Sequence, residues 1–199
     1  MLTLDPKAVN LHYVRGRANF CAGRIDKAVA DFDRFAELRP AEKPRLWERG
    51  IALYYARKFE QGAAQFALYQ TFHNNDVENA TWRYICMAPT VGVDKARAEL
   101  LPIENDRRVP MMQIYALYRG ELQPADVLRA VIQGDPDKDQ LNERQFYAEL
   151  YLGLYHEAAG DAALAKEHLT KAVDHKIGHY MWDVAHVHLE RLQQAKEKP

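Results

Sequence analysis

Serine is absent from the chain, and only two of its 199 residues are cysteines. Cys21 and Cys86 lie in apolar helical patterns and not in a CxxC or Cys/His spacing, which predicts no metal site and favours two buried free thiols over a disulfide. No nucleophile with a matching base, no carboxylate pair in a loop and no glycine-rich phosphate loop is present. The sequence therefore argues against an enzyme and indicates neither a cofactor nor a metal.

The chain also lacks an excess of one charge and a long apolar stretch. It has 27 Lys and Arg residues against 28 Asp and Glu residues, a formal net charge of -1, so charge gives no reason to expect a nucleic acid or an anionic membrane as partner. The segment from Met1 to Pro6 does not read as a signal peptide. We expect a cytoplasmic protein as given, or a periplasmic or cell-envelope protein if an export signal has been removed.

What the sequence does contain is a repeat with a period of 34 residues. At that offset Arg15 and Gly16 align with Arg49 and Gly50, and the eight residues 93–100 keep the chemical type of residues 25–32. A self-similarity of this length predicts stacked helical hairpins. The predicted repeats span about 9–42, 43–76, 77–109, a divergent 110–142, and 143–176, and a capping helix is expected at about 178–196.

The repeated residues suggest how each hairpin packs. A glycine near the middle of the first helix, as at Gly16, Gly50 and Gly153, allows the second helix to approach closely, and large apolar side chains fill the space between hairpins. In the divergent segment, residues 111–118 and 125–132 are the expected helices, with Pro110 and Pro124 at their starts. The predicted fold is an all-α, right-handed superhelical solenoid of helical hairpins, forming a single domain with a C-terminal capping helix.

These residues resemble the tetratricopeptide-repeat family, whose pattern is met by Gly16, Phe20, Ala28, Phe32 and Pro40. The second repeat departs from the pattern, because Gly62 replaces the alanine of the second helix and Asn74 replaces the closing proline.

A narrower similarity is to the NlpI-type bacterial lipoproteins, which are adaptors of the same family at the cell envelope. It rests on residues 49–55 and on the run from 146 to 173. The lipid-attachment cysteine of that group is missing. The resemblance implies adaptor work on envelope enzymes, with dimer formation as an option.

In such repeats the first helix of each hairpin lines the inner surface, so its free side chains are the candidates for partner binding. Aromatic and arginine side chains anchor many interfaces. The predicted site residues are Tyr13, Arg17, Trp47, Tyr54 and Trp82. The alternative for Trp47 and Trp82 is packing between repeats. The asparagine and lysine set with which chaperone-binding members hold a C-terminal carboxylate is absent.

Three further patterns lead to expectations. Arg15, Arg49 and Arg83 recur at the period, as do Asp31, Gln65 and Glu99, which predicts links between the two helices of a hairpin. His179, Asp183 and His186 would share a helix face, either as metal ligands or as a solvated surface, which we favour. Trp182 and Leu189 lie off the apolar stripe of the last helix and predict a second contact, with the inner surface or with another copy.

The predicted function is a protein–protein interaction scaffold that binds a peptide or a folded partner. The alternative is a structural homo-oligomer without a peptide groove.

Overall fold

The computed structural model describes residues 6–197, and the chain is all-helical there, without a strand. The helices are α1 Pro6–Cys21, α2 Ile25–Leu38, a 3₁₀ helix Pro40–Arg45, α3 Trp47–Tyr55, α4 Phe59–Tyr69, α5 Val77–Val91, α6 Val93–Ala98, α7 Met111–Tyr118, α8 Pro124–Ala130, α9 Lys138–Ala158, α10 Ala162–Asp174 and α11 Tyr180–Glu197. The helices expected at 111–118 and 125–132 are confirmed as α7 and α8. None of the helices within 6–197 is long and apolar enough to cross a membrane.

Consecutive helices pack against each other, most extensively α9 with α10 and α1 with α2, followed by α4 with α5 and α3 with α4. The first helices of successive pairs also touch, since α3 contacts α5, α5 contacts α7, and α7 contacts α9. Most of the buried apolar side chains belong to one continuous core that extends from α1 to α11. Each amphipathic helix thus buries its apolar side on its chain neighbours.

Three glycines occupy equivalent environments in three different pairs. A Cβ atom added to Gly16, Gly50 or Gly153 would lie 2.9, 2.7 or 2.7 Å from the side chain of Phe32, Phe66 or Leu169. Each partner follows its glycine by 16 residues and lies on the second helix of the pair. The close approach that the repeat predicts is therefore present in all three pairs.

The arginine links are confirmed at the same spacing of 16 residues. Arg15 donates to the Asp31 carboxylate at 2.6 to 3.1 Å, and these hydrogen bonds hold the pKa of Asp31 below its ordinary value. Arg49 donates to Gln65 Oε1 at 3.0 Å, and Arg83 donates to the backbone carbonyl of Glu99. The Arg15 side chain is 66% exposed, so solvent screens its pair with Asp31 and the contribution of that pair to stability is small.

The last pair, α9 and α10, replaces the arginine link by a histidine–carboxylate contact one turn earlier. His168 Nδ1 lies 2.6 Å from Glu149 Oε2, and His12 lies 3.4 Å from Asp31 in the first pair. Both contacts span 19 residues and start four residues before the glycine. Counted from the glycine, the same two positions are therefore in contact in both pairs. In the first pair the histidine lies on the first helix and the carboxylate on the second, and in the last pair the arrangement is reversed.

The prediction for the cysteines is right for one of the two. Cys86 is buried on α5, whereas Cys21 is exposed, and both are free thiols. Cys21 is the last residue of α1, and partial burial and the nearby Asp183 on α11 raise the pKa of its thiol to about 11.

Replacement of Gly50 by alanine tests the glycine contact. The new methyl group would overlap the Phe66 ring, so we expect the free energy of unfolding to fall by about 1–3 kcal/mol although alanine favours a helix. Urea denaturation measures the change. Gly178→Ala is the matched control, because a Cβ there meets no atom within 4 Å, and its stability should change by less than about 1 kcal/mol. Equal stabilities of the two variants would contradict the packing role of Gly50.

Candidate functional site

Helix α11 does not only cover the last pair; its first turn lies on α1 and α3. The ring of Tyr180 lies 5.6 Å from the rings of both Phe20 and Trp47, measured between centroids. The guanidinium carbon of Arg17 lies 4.5 Å from the centre of the Tyr180 ring, within the range of a cation–π interaction. His179, just before α11, stacks on Trp47 at 6.2 Å. Two predicted binding residues, Arg17 and Trp47, therefore contact the chain's own C-terminal helix.

Further along α11, a buried polar network joins three helices. His188 Nε2 lies 2.8 Å from Glu157 Oε2 on α9, and His188 Nδ1 lies 2.8 Å from the Tyr55 hydroxyl on α3. Tyr54 also donates to Glu157, at 3.2 Å. Burial opposes ionisation of Glu157, but the hydrogen bond and charge of His188 outweigh it and keep the pKa of Glu157 below its ordinary value. The network fixes α11 against both α3 and α9.

The five predicted site residues differ in their exposure. Tyr13 and Arg17 are half-buried, and Tyr13 donates to the carboxylate of Glu48. Trp47 is half-buried, whereas Tyr54 is 9% exposed and Trp82 only 1% exposed. Trp82 stacks on Phe66 with its ring centroid 6.3 Å away, so its ring packs between helices.

Sequence reasoning missed that α11 lies on this surface. Tyr180, Val184, Val187 and His188 are all buried, and their spacing of four, three and one is a helical stripe that the sequence contains. Trp182, expected to make a second contact, is half-buried and donates from Nε1 to the carbonyl oxygen of Val173 on α10. No sequence signal indicated Glu157, because its role comes only from its two partners on other helices.

A cavity of about 190 Å³ lies where α3, α4, α5, α9 and the start of α11 meet. We call it the acidic cavity. It is lined by Trp47, Phe66, Asp76, Glu78, Asn79, Trp82, Arg108, Tyr147, His179 and Met181. Four of its ten lining residues are Trp, Phe or Tyr, and two are carboxylates.

The acidic cavity carries more negative than positive charge. Arg108 donates to Glu78 at 2.6 Å, to Asp76 at 2.9 Å and to Asp106 at 2.6 Å, so one guanidinium serves three carboxylates. Burial and the neighbouring Asp76 raise the pKa of Glu78 to about 7, although Arg108 and the hydroxyl of Tyr151 lower it. Glu78 is thus the carboxylic acid whose ionisation the excess negative charge opposes.

A second depression, of about 450 Å³, lies toward the other end of α11. Tyr54, Glu157, His188 and Arg191 are among its lining residues. Helix α11 therefore crosses the predicted binding face and leaves a depression at either end. Trp47 and Trp82 line the first, and Tyr54 lines the second.

The histidines of the last segment do not converge as metal ligands. His179 lies against Trp47, and His186 lies 3.6 Å from Glu190. Among the residues that the structure describes, no three His, Cys, Asp or Glu side chains form a group that could hold a metal ion. No model of a known protein family matches the chain.

Replacement of Glu78 by glutamine tests the charge of the acidic cavity. A raised pKa means that the folded chain binds the Glu78 proton more tightly than the unfolded chain, so stability is lost as the pH rises from about 4.5 to about 7. The glutamine side chain does not titrate. We therefore expect the stability of the natural chain relative to Glu78→Gln to fall by about 1–3 kcal/mol between pH 5 and pH 8, measured by urea denaturation. A difference that does not change with pH would contradict the raised pKa, and Glu60→Gln, at an exposed position, is the control.

Proposed function

We propose that the chain is a right-handed superhelical solenoid of tetratricopeptide repeats that serves as an interaction scaffold for a peptide or a folded partner. The equivalent glycine contacts in three pairs support the repeat architecture, because each pair uses the same close approach at the same spacing. The side-by-side contacts of α3, α5, α7 and α9 support an array in which first helices form one face.

The docking of α11 is the observation that carries the proposal. The face formed by α1 and α3 holds an amphipathic helix through an aromatic cluster and a cation–π contact, at Phe20, Trp47 and Arg17. Binding an amphipathic helix in a groove is one of the common ways in which proteins recognise peptides. A partner would bind beside α11, where the two depressions leave the face open. By the similarity to the NlpI-type adaptors, the partner class is enzymes of the cell envelope.

Replacement of Trp47 by alanine tests partner binding. Trp47 is half-buried and lines the acidic cavity beside α11, so its truncation removes an aromatic anchor from the proposed face. We expect retention of captured partners from an extract of the source organism to fall about tenfold or more. Arg34→Ala, on the exposed side of α2, is the matched control and should retain them.

Circular dichroism and urea denaturation establish that both variants are folded. Tyr54 is buried, so its variant is the conservative Tyr54→Phe, which removes only the hydroxyl bonded to Glu157. Equal retention by Trp47→Ala and Arg34→Ala would remove Trp47 from the binding face.

The alternative function, a structural homo-oligomer, has support from the outer side of α1. Leu11 is 66% exposed and Val14 is 59% exposed. Thirty-four residues after Val14, the corresponding position of α3 is the buried residue Glu48, which accepts a hydrogen bond from Tyr13 of the preceding hairpin. By this alignment, the outer side of α1 corresponds to a surface that a neighbouring hairpin covers elsewhere in the array. A second copy of the chain would provide that hairpin.

The double variant Leu11→Glu/Val14→Glu tests the homo-oligomer. If a second copy covers this side of α1, two new carboxylates oppose its burial, and the molecular mass from light scattering should fall from that of a dimer to that of a monomer at equal concentration. Leu164→Glu, at an exposed apolar position on α10, should leave the mass unchanged. A monomeric mass of the natural chain at every concentration excludes this alternative.

A further inference from the structure

One face of α5 presents three polar groups to the acidic cavity. Glu78, Asn79 and Trp82 line it, and the spacing of three and four residues to Trp82 places all three on neighbouring positions of the helix. Asn79 is 2% exposed and Trp82 is 1% exposed. Asn79 Oδ1 and Trp82 Nε1 have no hydrogen-bond partner within the described chain. A buried acceptor and a buried donor without partners are unfavourable, so the face is suited to a ligand that supplies both.

The charge of the cavity determines the sign of the charge on that ligand. The donors of Arg108 are directed to Asp76, Glu78 and Asp106, so Arg108 is not free to bind an anion. The two lining carboxylates, Asp76 and Glu78, exceed the one lining guanidinium, and a cation at Glu78 would relieve the excess. Trp47 and Tyr147 also line the cavity, and aromatic rings are common partners of an ammonium group.

The volume of the cavity determines the size of the ligand. An apolar cavity of about 150 Å³ admits a benzene molecule, so the acidic cavity, at about 190 Å³, admits a group of the size of one amino-acid residue. Trp47 is half-buried, His179 is exposed and the Arg108 side chain is 45% exposed, which places the opening on their side. Asn79 and Trp82 are its most deeply buried lining residues with polar side-chain atoms.

We propose that the acidic cavity binds an α-aminoacyl group, that is, an ammonium group next to a carbonyl oxygen. The ammonium donates to Glu78 and to Asn79 Oδ1, the carbonyl oxygen accepts from Trp82 Nε1, and the side chain of the ligand lies among the aromatic walls. Such a group occurs at the N-terminus of a polypeptide and in a free amino-acid amide. Binding of a polypeptide N-terminus depends on the proposed scaffold function, whereas binding of a free amino-acid amide does not.

Titration of the full chain with three probes of similar shape tests the binding. L-Leucinamide carries both the ammonium and the carbonyl, 2-hydroxy-4-methylpentanamide lacks the ammonium, and isoamylamine lacks the carbonyl. At pH 7 the amino groups are mostly protonated. We expect a Kd of about 1 mM for leucinamide and binding at least about tenfold weaker for each of the others, with a shift of the indole N–H resonance of Trp82 only for probes with a carbonyl.

Two variants assign the contacts by ratios of affinities rather than by affinities alone. In Trp82→Phe, which keeps an aromatic ring but lacks the N–H, leucinamide and isoamylamine should bind equally. In Glu78→Gln, leucinamide should lose most of its advantage over the hydroxy amide; this variant carries the test if Trp82→Phe does not fold. Trp182→Phe, whose indole bonds to Val173 outside the cavity, should leave both ratios unchanged.

The source of the group is tested with Leu-Gly-Gly and its N-acetyl form. Binding of Leu-Gly-Gly as tightly as leucinamide, lost on acetylation, indicates a polypeptide N-terminus, whereas binding of leucinamide alone indicates a free amide. Equal binding of leucinamide and the hydroxy amide, or no shift of the Trp82 resonance at tens of millimolar leucinamide, would overturn the proposal. Retention of partners by Trp47→Ala and by its control Arg34→Ala is a separate measurement. Failure of the cavity proposal can therefore be distinguished from failure of the scaffold proposal.

Discussion

The contact between a glycine on one helix and a ring or branched side chain 16 residues later determines how the helices of a pair meet. At Gly16 and Gly50 the partner ring lies where a Cβ atom would be, so any larger residue forces the two helices apart. The arginine links depend on this distance, because Arg15 reaches Asp31 only across closely packed helices. Since α3 also contacts α5, the angle within one pair affects the position of the next pair.

Helix α11 gives the chain a second level of organisation. It packs on α10, its neighbour in sequence, and on α1, so the first and last helices of the described residues are in contact. The ring of Tyr180 lies between Phe20 and Trp47, and His188 joins Tyr55 to Glu157. A single helix thus ties the first, second and fifth pairs together, and its position defines the depressions at its two ends.

The acidic cavity shows how the irregular segment between α6 and α7 acts on the helical array. Arg108 lies in that segment and pairs with carboxylates at the start of α5. The guanidinium partly compensates a group of acids that burial would otherwise leave costly to ionise. The compensation is incomplete, which is why the pKa of Glu78 is raised and why the cavity favours a cation.

The sequence alone determined the helical class, the equivalent glycine positions, the arginine links and the divergent helices α7 and α8. Each follows from side chains that recur at a fixed spacing, and such spacing is a local property of the chain. The position of α11 on α1 and α3, the burial of Trp82 and the gathering of Asp76, Glu78 and Arg108 were decided only by the tertiary structure. These features join residues from distant parts of the chain, and burial and charge act between such residues only after the helices have packed.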